Sequence, residues 1–147
     1  MKQKTFEIRE PDRTEMYSVT VMTKKFFPYT NLGFAQVVER ARRDVRYLVA
    51  RADRQTIGYA DYSLGEPAKI WGLAVLEEWR RKGVGKTLLA RALEEIRKSG
   101  ARRVEMLTTS DNAAALRLYE KFGFRCAGPY EKTLPGKEVI IMAKEFR

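Results

Sequence analysis

Two short segments of this chain carry residue types at spacings that can do chemistry. The first is Arg80-Arg81-Lys82-Gly83-Val84-Gly85-Lys86-Thr87, rich in glycine and cations and set at the start of a helical pattern. Glycines at 83 and 85 let backbone N–H groups approach an anion closely, and the helix dipole adds about 0.3 to 1 kcal/mol per favourable charge contact. The chemistry it suits is phosphate binding. The second segment pairs Asn112 with Tyr119, two helical turns apart and so on one helix face. Between them Ala113, Ala114 and Ala115 keep the helix slim, which leaves room for a ligand or a neighbouring helix. A tyrosine in that position is either a packed aromatic or an acid at a ligand edge, and both readings stand at this point. Gly85-Lys86-Thr87 ends like a nucleotide-triphosphatase loop, but that motif needs glycine five residues earlier, where Arg80 stands.

What the chain lacks narrows the rest. Its 147 residues include one cysteine, Cys126, and no histidine. The ordinary zinc and iron–sulfur spacings are therefore excluded, no metal is expected, and Ser-His-Asp and Cys-His nucleophiles fall as well. Proton transfer is left to Asp, Glu, Tyr, Lys or water. Cys126 itself reads as a small buried filler. With 29 Lys and Arg against 19 Asp and Glu, the net charge is +10, which suits an anionic ligand as well as plain solubility. No run of 18 apolar residues exists, and Met1-Lys2-Gln3-Lys4 leads into a strand-like stretch without an apolar signal core. A cytoplasmic protein without a membrane partner is the expectation.

The elements that must position these segments follow from periodicity. No linker or repeat divides the chain, so residues 1–147 read as a single domain. Thr5 to Arg9 alternates as a short strand; Asp12 to Lys25 has the helical spacing of Met16, Val19, Met22 and Phe26. Phe27-Pro28-Tyr29 breaks that helix, and Asn31 is placed to cap a second one through Ala41. Strands follow from Val45 and from Ile57, with a turn at Arg54-Gln55. Ala68 to Leu76 is nearly all apolar, as a central strand buried on both faces would be. Gly83 to Ser99 is a helix, Val104 to Thr109 a strand, and Asn112 to Phe122 a helix closed by Gly123. Strand, crossover helix and strand make a right-handed parallel unit, so both helix N-termini lie at the carboxyl edge of the sheet, where ligands of open α/β sheets bind. Two last strands, Phe124 to Leu134 and Lys137 to Lys144, are joined at Pro135-Gly136. Trp71 and Trp79 read as core and loop-anchoring aromatics, and Phe26 to Tyr29 as a loop staple or one wall of an acceptor pocket.

At this point Leu73-Ala74-Val75, the Arg80 to Gly85 block, Asn112-Ala113-Ala114-Ala115 and Tyr119-Glu120-Lys121-Phe122-Gly123-Phe124 together resemble the GNAT acetyltransferase superfamily, most strongly between Ile70 and Phe124. The resemblance implies an α/β (α+β) fold: a mixed, mostly antiparallel sheet of about seven strands, splayed at a parallel pair and flanked by four helices. It implies acetyl-CoA as co-substrate, with the pantetheine arm on the backbone of Leu73, Ala74, Val75 and Leu76. The pyrophosphate would lie on the loop formed by Arg80, Arg81, Lys82, Gly83, Val84, Gly85, Lys86 and Thr87. Asn112 would touch the pantetheine, and Tyr119 would face the thioester sulfur as the acid, with the amide of Val75 or Leu76 receiving the oxyanion. The implied reaction is transfer of acetyl to a primary amine by direct attack in a ternary complex.

The chain also departs from that pattern. Glu77 stands where the superfamily usually has proline, and Leu107 stands where N-terminal-amine acetyltransferases have a glutamate. Glu105, two residues upstream on the same strand face, is then the candidate base, with a surface ion pair as its competing role. Asp61 and Glu131 are the next carboxylates. The acceptor expected is a small-molecule or peptide amine, and a homodimer is left open. The alternative is a basic module that binds coenzyme A or nucleic acid without turnover, using Arg40, Arg42, Arg43, Arg46 and Arg51.

Overall fold

Asp12 starts the first helix because its side chain can satisfy a backbone donor that the helix leaves open. Its Oδ1 accepts from the Glu15 amide at 2.8 Å, and Glu15 Oε1 accepts from the Asp12 amide at 3.0 Å, a reciprocal capping box. In the computed structural model, which describes residues 5–132 and 134–146, this helix is α1 (Arg13–Phe26) and follows a three-residue strand β1 (Glu7–Arg9). The expected leaderless start at Met1 to Lys4 lies outside the described residues, as does Thr133 of the expected strand to Leu134. The second helix, α2 (Phe34–Arg43), is capped at Gly33 rather than at Asn31. Pro28–Thr30 forms a 3-10 turn that Asn31 closes in the left-handed region, φ 52°, so its side chain is two residues too early to cap α2.

From there the chain folds into β2 (Val45–Ala52) and β3 (Gln55–Ser63), joined by Asp53 and Arg54, both at positive φ. That turn sits one residue earlier than the sequence suggests, since two left-handed residues match the twist of a two-residue hairpin. Next come β4 (Ala68–Val75), α3 (Val84–Lys98), β5 (Arg103–Thr109), α4 (Ala113–Lys121), β6 (Arg125–Pro129) and β7 (Val139–Glu145). The seven strands form one sheet in the order β1-β2-β3-β4-β5-β7-β6, antiparallel except between β4 and β5. The sheet is the mixed, mostly antiparallel one expected. The last strand slots between β5 and β6, so Cys126 lies on an edge strand and is exposed instead of buried.

Two helices cover each face. On one, Leu88, Leu89, Ala92 and Ile96 of α3 pack with Tyr119 of α4 against Ile57, Ala60, Ile70 and Val104. On the other, Met16, Val19 and Met22 of α1 and Val37 of α2 pack against Val49, Tyr59 and Ala74. β4 is central but not sealed on both sides: Lys69 and Trp71 are exposed, because α1 and α2 cover only the part of that face nearer Ala74. Leu88 is fully buried between α3 and the sheet. Leu88→Ala should therefore lower unfolding stability by about 2 to 5 kcal/mol, read as a drop in the urea midpoint with little change in slope.

Candidate active site

Pairing between β4 and β5 covers only Ala68 to Ile70 against Val104 to Met106. Beyond it each strand stays bonded to its antiparallel neighbour, β4 to β3 as far as Val75 and β5 to β7 as far as Thr109. The two strands part, and the sheet opens. A bulge sharpens the divergence: Asp61 pairs with Gly72 while Tyr62 pairs with Ile70, so Trp71 is an extra residue on β4.

The gap exposes strand backbone in a defined pattern. The Leu76 amide donates to Ile57 O at 2.8 Å, toward β3. Strand residues alternate in the side to which they present N–H and C=O, so Ala74 also faces β3 while Leu73 and Val75 face the gap. Of the two amides expected to meet the oxyanion, Leu76 is thus engaged and Val75 is the one presented. Arg80 reaches back to this edge, its Nε donating to Val75 O at 3.3 Å and its guanidinium lying over the Phe26 ring at 5.7 Å.

The loop into α3 presents open backbone. Gly83 has φ +83°, and a Cβ there would meet nothing within 4 Å, so the glycine is demanded by backbone conformation and leaves open space in front of it. Arg81 takes the same unusual region, φ 63°. No side chain caps α3 and no acidic residue occupies its first turn, which leaves the amides of Val84, Gly85 and Lys86 for a ligand. Thr87 differs from expectation. Its amide and its hydroxyl both donate to Gly83 O, at 3.0 and 2.7 Å, because it closes the first helical turn.

A cavity of about 250 Å³ fills the opening between the strands. It draws its walls from both faces of the sheet: Asn112 and Tyr119 belong to the side of α3 and α4, Phe26, Phe27 and Tyr29 to the side of α1. Gly72, Leu73, Leu107 and Thr108 line it from the parted strands. Asn112 Oδ1 caps α4 by accepting from Ala115 N at 3.2 Å, which turns its amide group into the available donor. Tyr119 is 7% exposed, and burial pushes its phenol up to about 12, so it stays protonated through the neutral range and acts as a hydrogen-bond donor. Trp71 is no core aromatic: it stands half-exposed at the cavity, its Nε1 donating to Ser63 Oγ at 3.1 Å. Trp79 is buried.

The structure does not bring Glu105 into this cavity. It lies on the stretch of β5 still paired with β4, where Arg103 Nε donates to its carboxylate at 2.9 Å and also holds Glu145. Glu131 is exposed outside the cavity lining. The basic cluster is partly spent on carboxylates, Arg40 on Asp61, Arg43 on Glu39 and Arg51 on Glu15. Asp61, the other further carboxylate, lies in the middle of β3 and faces Arg40. It is 3% exposed, and its signal was a charge in the buried phase of a strand between Tyr59 and Tyr62.

Among the described residues the sheet parts between the one pair of strands that run parallel, with a glycine loop and uncapped helix start on one side and a cavity reaching the other, an architecture that fits an acyltransferase. Residues 3–124 match the Acetyltransferase (GNAT) family, and the chain belongs to that family of N-acetyltransferases. It is 28% identical over 121 residues, 80% of each chain, to the ribosomal protein bS18-alanine N-acetyltransferase of Escherichia coli (strain K12). The crystal structure of the ribosomal-protein-S18-alanine N-acetyltransferase from Escherichia coli shares the fold with a TM-score of 0.82 at 20% identity, over 96% of this chain and 94% of that one. The PaiA N-acetyltransferase from Thermoplasma acidophilum, solved in complex with coenzyme A, gives 0.74 at 21% identity, over 97% and 99%. No helix among the described residues is long and apolar enough to cross a membrane.

Gly83→Val would force a β-branched residue to positive φ at the loop. Acetyl-CoA affinity, measured by calorimetric titration, should fall tenfold or more, the roughly 1.4 kcal/mol of one lost charge-assisted contact.

Proposed function

We propose that this single domain transfers acetyl from acetyl-CoA to a primary amine, entered from the α1 side, by direct attack within a ternary complex. The observation that carries the reading is the two-faced cavity, lined by Tyr119 and Asn112 from one side and by Phe26, Phe27 and Tyr29 from the other. The residues present fit the co-substrate: Gly83 leaves open space before a helix start without acid or cap, and Leu73 and the Val75 amide face the opening instead of β3, while Val75 O accepts from Arg80. Arg80, Arg81, Lys82, Gly83, Val84, Gly85 and Lys86 would hold the pyrophosphate, with Thr87 fixing the turn. Leu73 and Val75 would hold the pantetheine arm, Ala74 and Leu76 pinning that edge to β3. Acetyl-CoA supplies an acetyl group already activated as a thioester.

The Val75 amide then polarises the thioester carbonyl and receives its developing negative charge. Tyr119 donates its hydroxyl hydrogen bond to the sulfur as the carbon–sulfur bond breaks. Its raised pKa keeps that proton in place until the thiolate forms, so the phenol works as a donor over the whole neutral range. The acceptor class draws support from the relatives, which are named alanine N-acetyltransferases of a ribosomal protein. Asp61 adjoins the cavity wall by register, through its pairing with the cavity-lining Gly72. A basic binding module without turnover is the alternative, and activity decides between them.

The test is an acetyl-CoA assay with an N-terminal-alanine peptide beside polyamines and small amines. Turnover of at least one amine is expected, and tight acetyl-CoA binding with none would favour the binding module. Tyr119→Phe keeps the ring and removes the hydroxyl. It should cut kcat by roughly 10² to 10⁴ while leaving the acetyl-CoA dissociation constant nearly unchanged.

A further inference from the structure

The cavity wall made by Gly72 has a buried carboxylate directly behind it. A Cβ built on Gly72 would lie 2.6 Å from Asp61 Oδ1, 3.4 Å from Phe27 Cε2 and 3.5 Å from the Tyr59 hydroxyl. Any side chain there would collide with the carboxylate. The β4 bulge at Trp71 and Gly72 turns this glycine toward the α1 face, the same face as Asp61. Its other oxygen, Oδ2, is held by Arg40 Nη2 at 3.0 Å. Arg40 in turn donates through Nη1 to the Tyr47 hydroxyl at 2.9 Å, and the Tyr59 hydroxyl shares a hydrogen bond with Thr23 at 2.9 Å. Arg40 thus holds Oδ2, the backbone N–H of Asp61 also donates to the carboxylate, and Oδ1 lies toward a glycine that borders the cavity.

Building on the amine-acetylation reading above, we propose that Asp61 is the proton acceptor for the incoming ammonium, reached across the gap that Gly72 leaves in the cavity wall. The ammonium seated against Gly72 gives one proton to Oδ1, and its freed lone pair forms the carbon–nitrogen bond. The carbon–sulfur bond breaks, the sulfur takes the Tyr119 proton, and the second nitrogen proton returns to the Tyr119 oxygen through water. Asp61 then releases its proton to solvent, so one proton leaves per turnover.

The electrostatics agree with that task. Burial raises the Asp61 pKa to about 6, while Arg40, by its charge and hydrogen bond, and the backbone N–H of Asp61 oppose the rise. Arg40 from α2 is the cation facing it; Tyr47 from β2 and Tyr59 from β3 are the titratable neighbours, both pushed up by burial and by Asp61 itself, and both neutral at working pH. The α1 side presents Thr23 and Phe27, and β4 presents Gly72, none of them charged. Asp61 is therefore ionised above about pH 6 and ready to accept. Below it the group is already protonated.

The experiment is kcat/KM from pH 5 to 9 with acetyl-CoA and whichever amine probe the wild type acetylates, an N-terminal-alanine peptide first. Wild type should show an acidic limb near 6, separate from the titration of a peptide α-amino group near 8. Asp61→Asn should lose about 10²-fold in rate and lose the limb near 6, with acetyl-CoA affinity within twofold of wild type. Arg40→Gln removes the opposing cation, so the same limb should move to higher pH, a shift that a purely structural ion pair would not produce. This variant decides the matter if Asp61→Asn does not fold. Gly72→Ala should reproduce the rate loss by covering the carboxylate. An active wild type whose limb survives in Asp61→Asn, stays put in Arg40→Gln, or vanishes instead in Glu105→Gln overturns the role of Asp61 alone. A wild type inactive on every amine overturns the amine-acetylation reading, and this role with it.

Discussion

The hydrogen bonding between β4 and β5 stops at Ile70 and Met106, and the rest of the site depends on that stop. Each strand is held to its outer neighbour for several residues more, so neither can bend back to close the opening. Unpaired backbone groups in a protein interior are costly unless something satisfies them. At the opening the groups of Leu73 and Val75 are offered to a ligand, and Arg80 reaches Val75 O in its place. The parted sheet consequently leaves a strand edge that its neighbours do not satisfy. Its position next to the start of α3 puts the anion loop and the backbone edge on one continuous track.

The same parting explains why the cavity belongs to two faces. Tyr119 is buried among the residues that pack α3 and α4 on the sheet, while Phe27 packs with Tyr59 among those under α1 and α2. In a closed sheet these two groups would be separated by a full layer of backbone. Here they share one cavity, and a donor and an acceptor can approach from opposite sides without competing for space. The buried pair of Arg40 and Asp61 sits on the α1 and α2 side of that division, anchored by α2 and β3 rather than by a loop. Ionic pairs so placed are weak devices for stability, since their desolvation offsets their attraction.

Much of this was legible in the residues. The alternation and helical spacings give the element order, and Gly83 and Asn112 are legible because each performs a local task, a left-handed turn before α3 and the cap of α4. What escaped depends on contacts distant in sequence. Asn31 carries a good capping side chain, yet the 3-10 turn at Pro28 spends that residue on closing itself. Cys126 reads as buried until β7 is seen to slot between β5 and β6 and leave β6 at the edge. Glu105 and Asp61 are both isolated acids on strands. Only the length of the β4–β5 pairing and the bulge at Trp71 show that one stays in the closed region and the other lies behind the cavity wall.

The central claim is that the opening brings both substrates together before any bond is broken, with no acetyl group resting on the protein. Initial rates over a matrix of acetyl-CoA and amine concentrations test this most directly. Double-reciprocal lines that intersect are the expected result, as required by a ternary complex in the two-faced cavity. Parallel lines, together with a protein that gains the mass of one acetyl group when mixed with acetyl-CoA alone, would contradict the account.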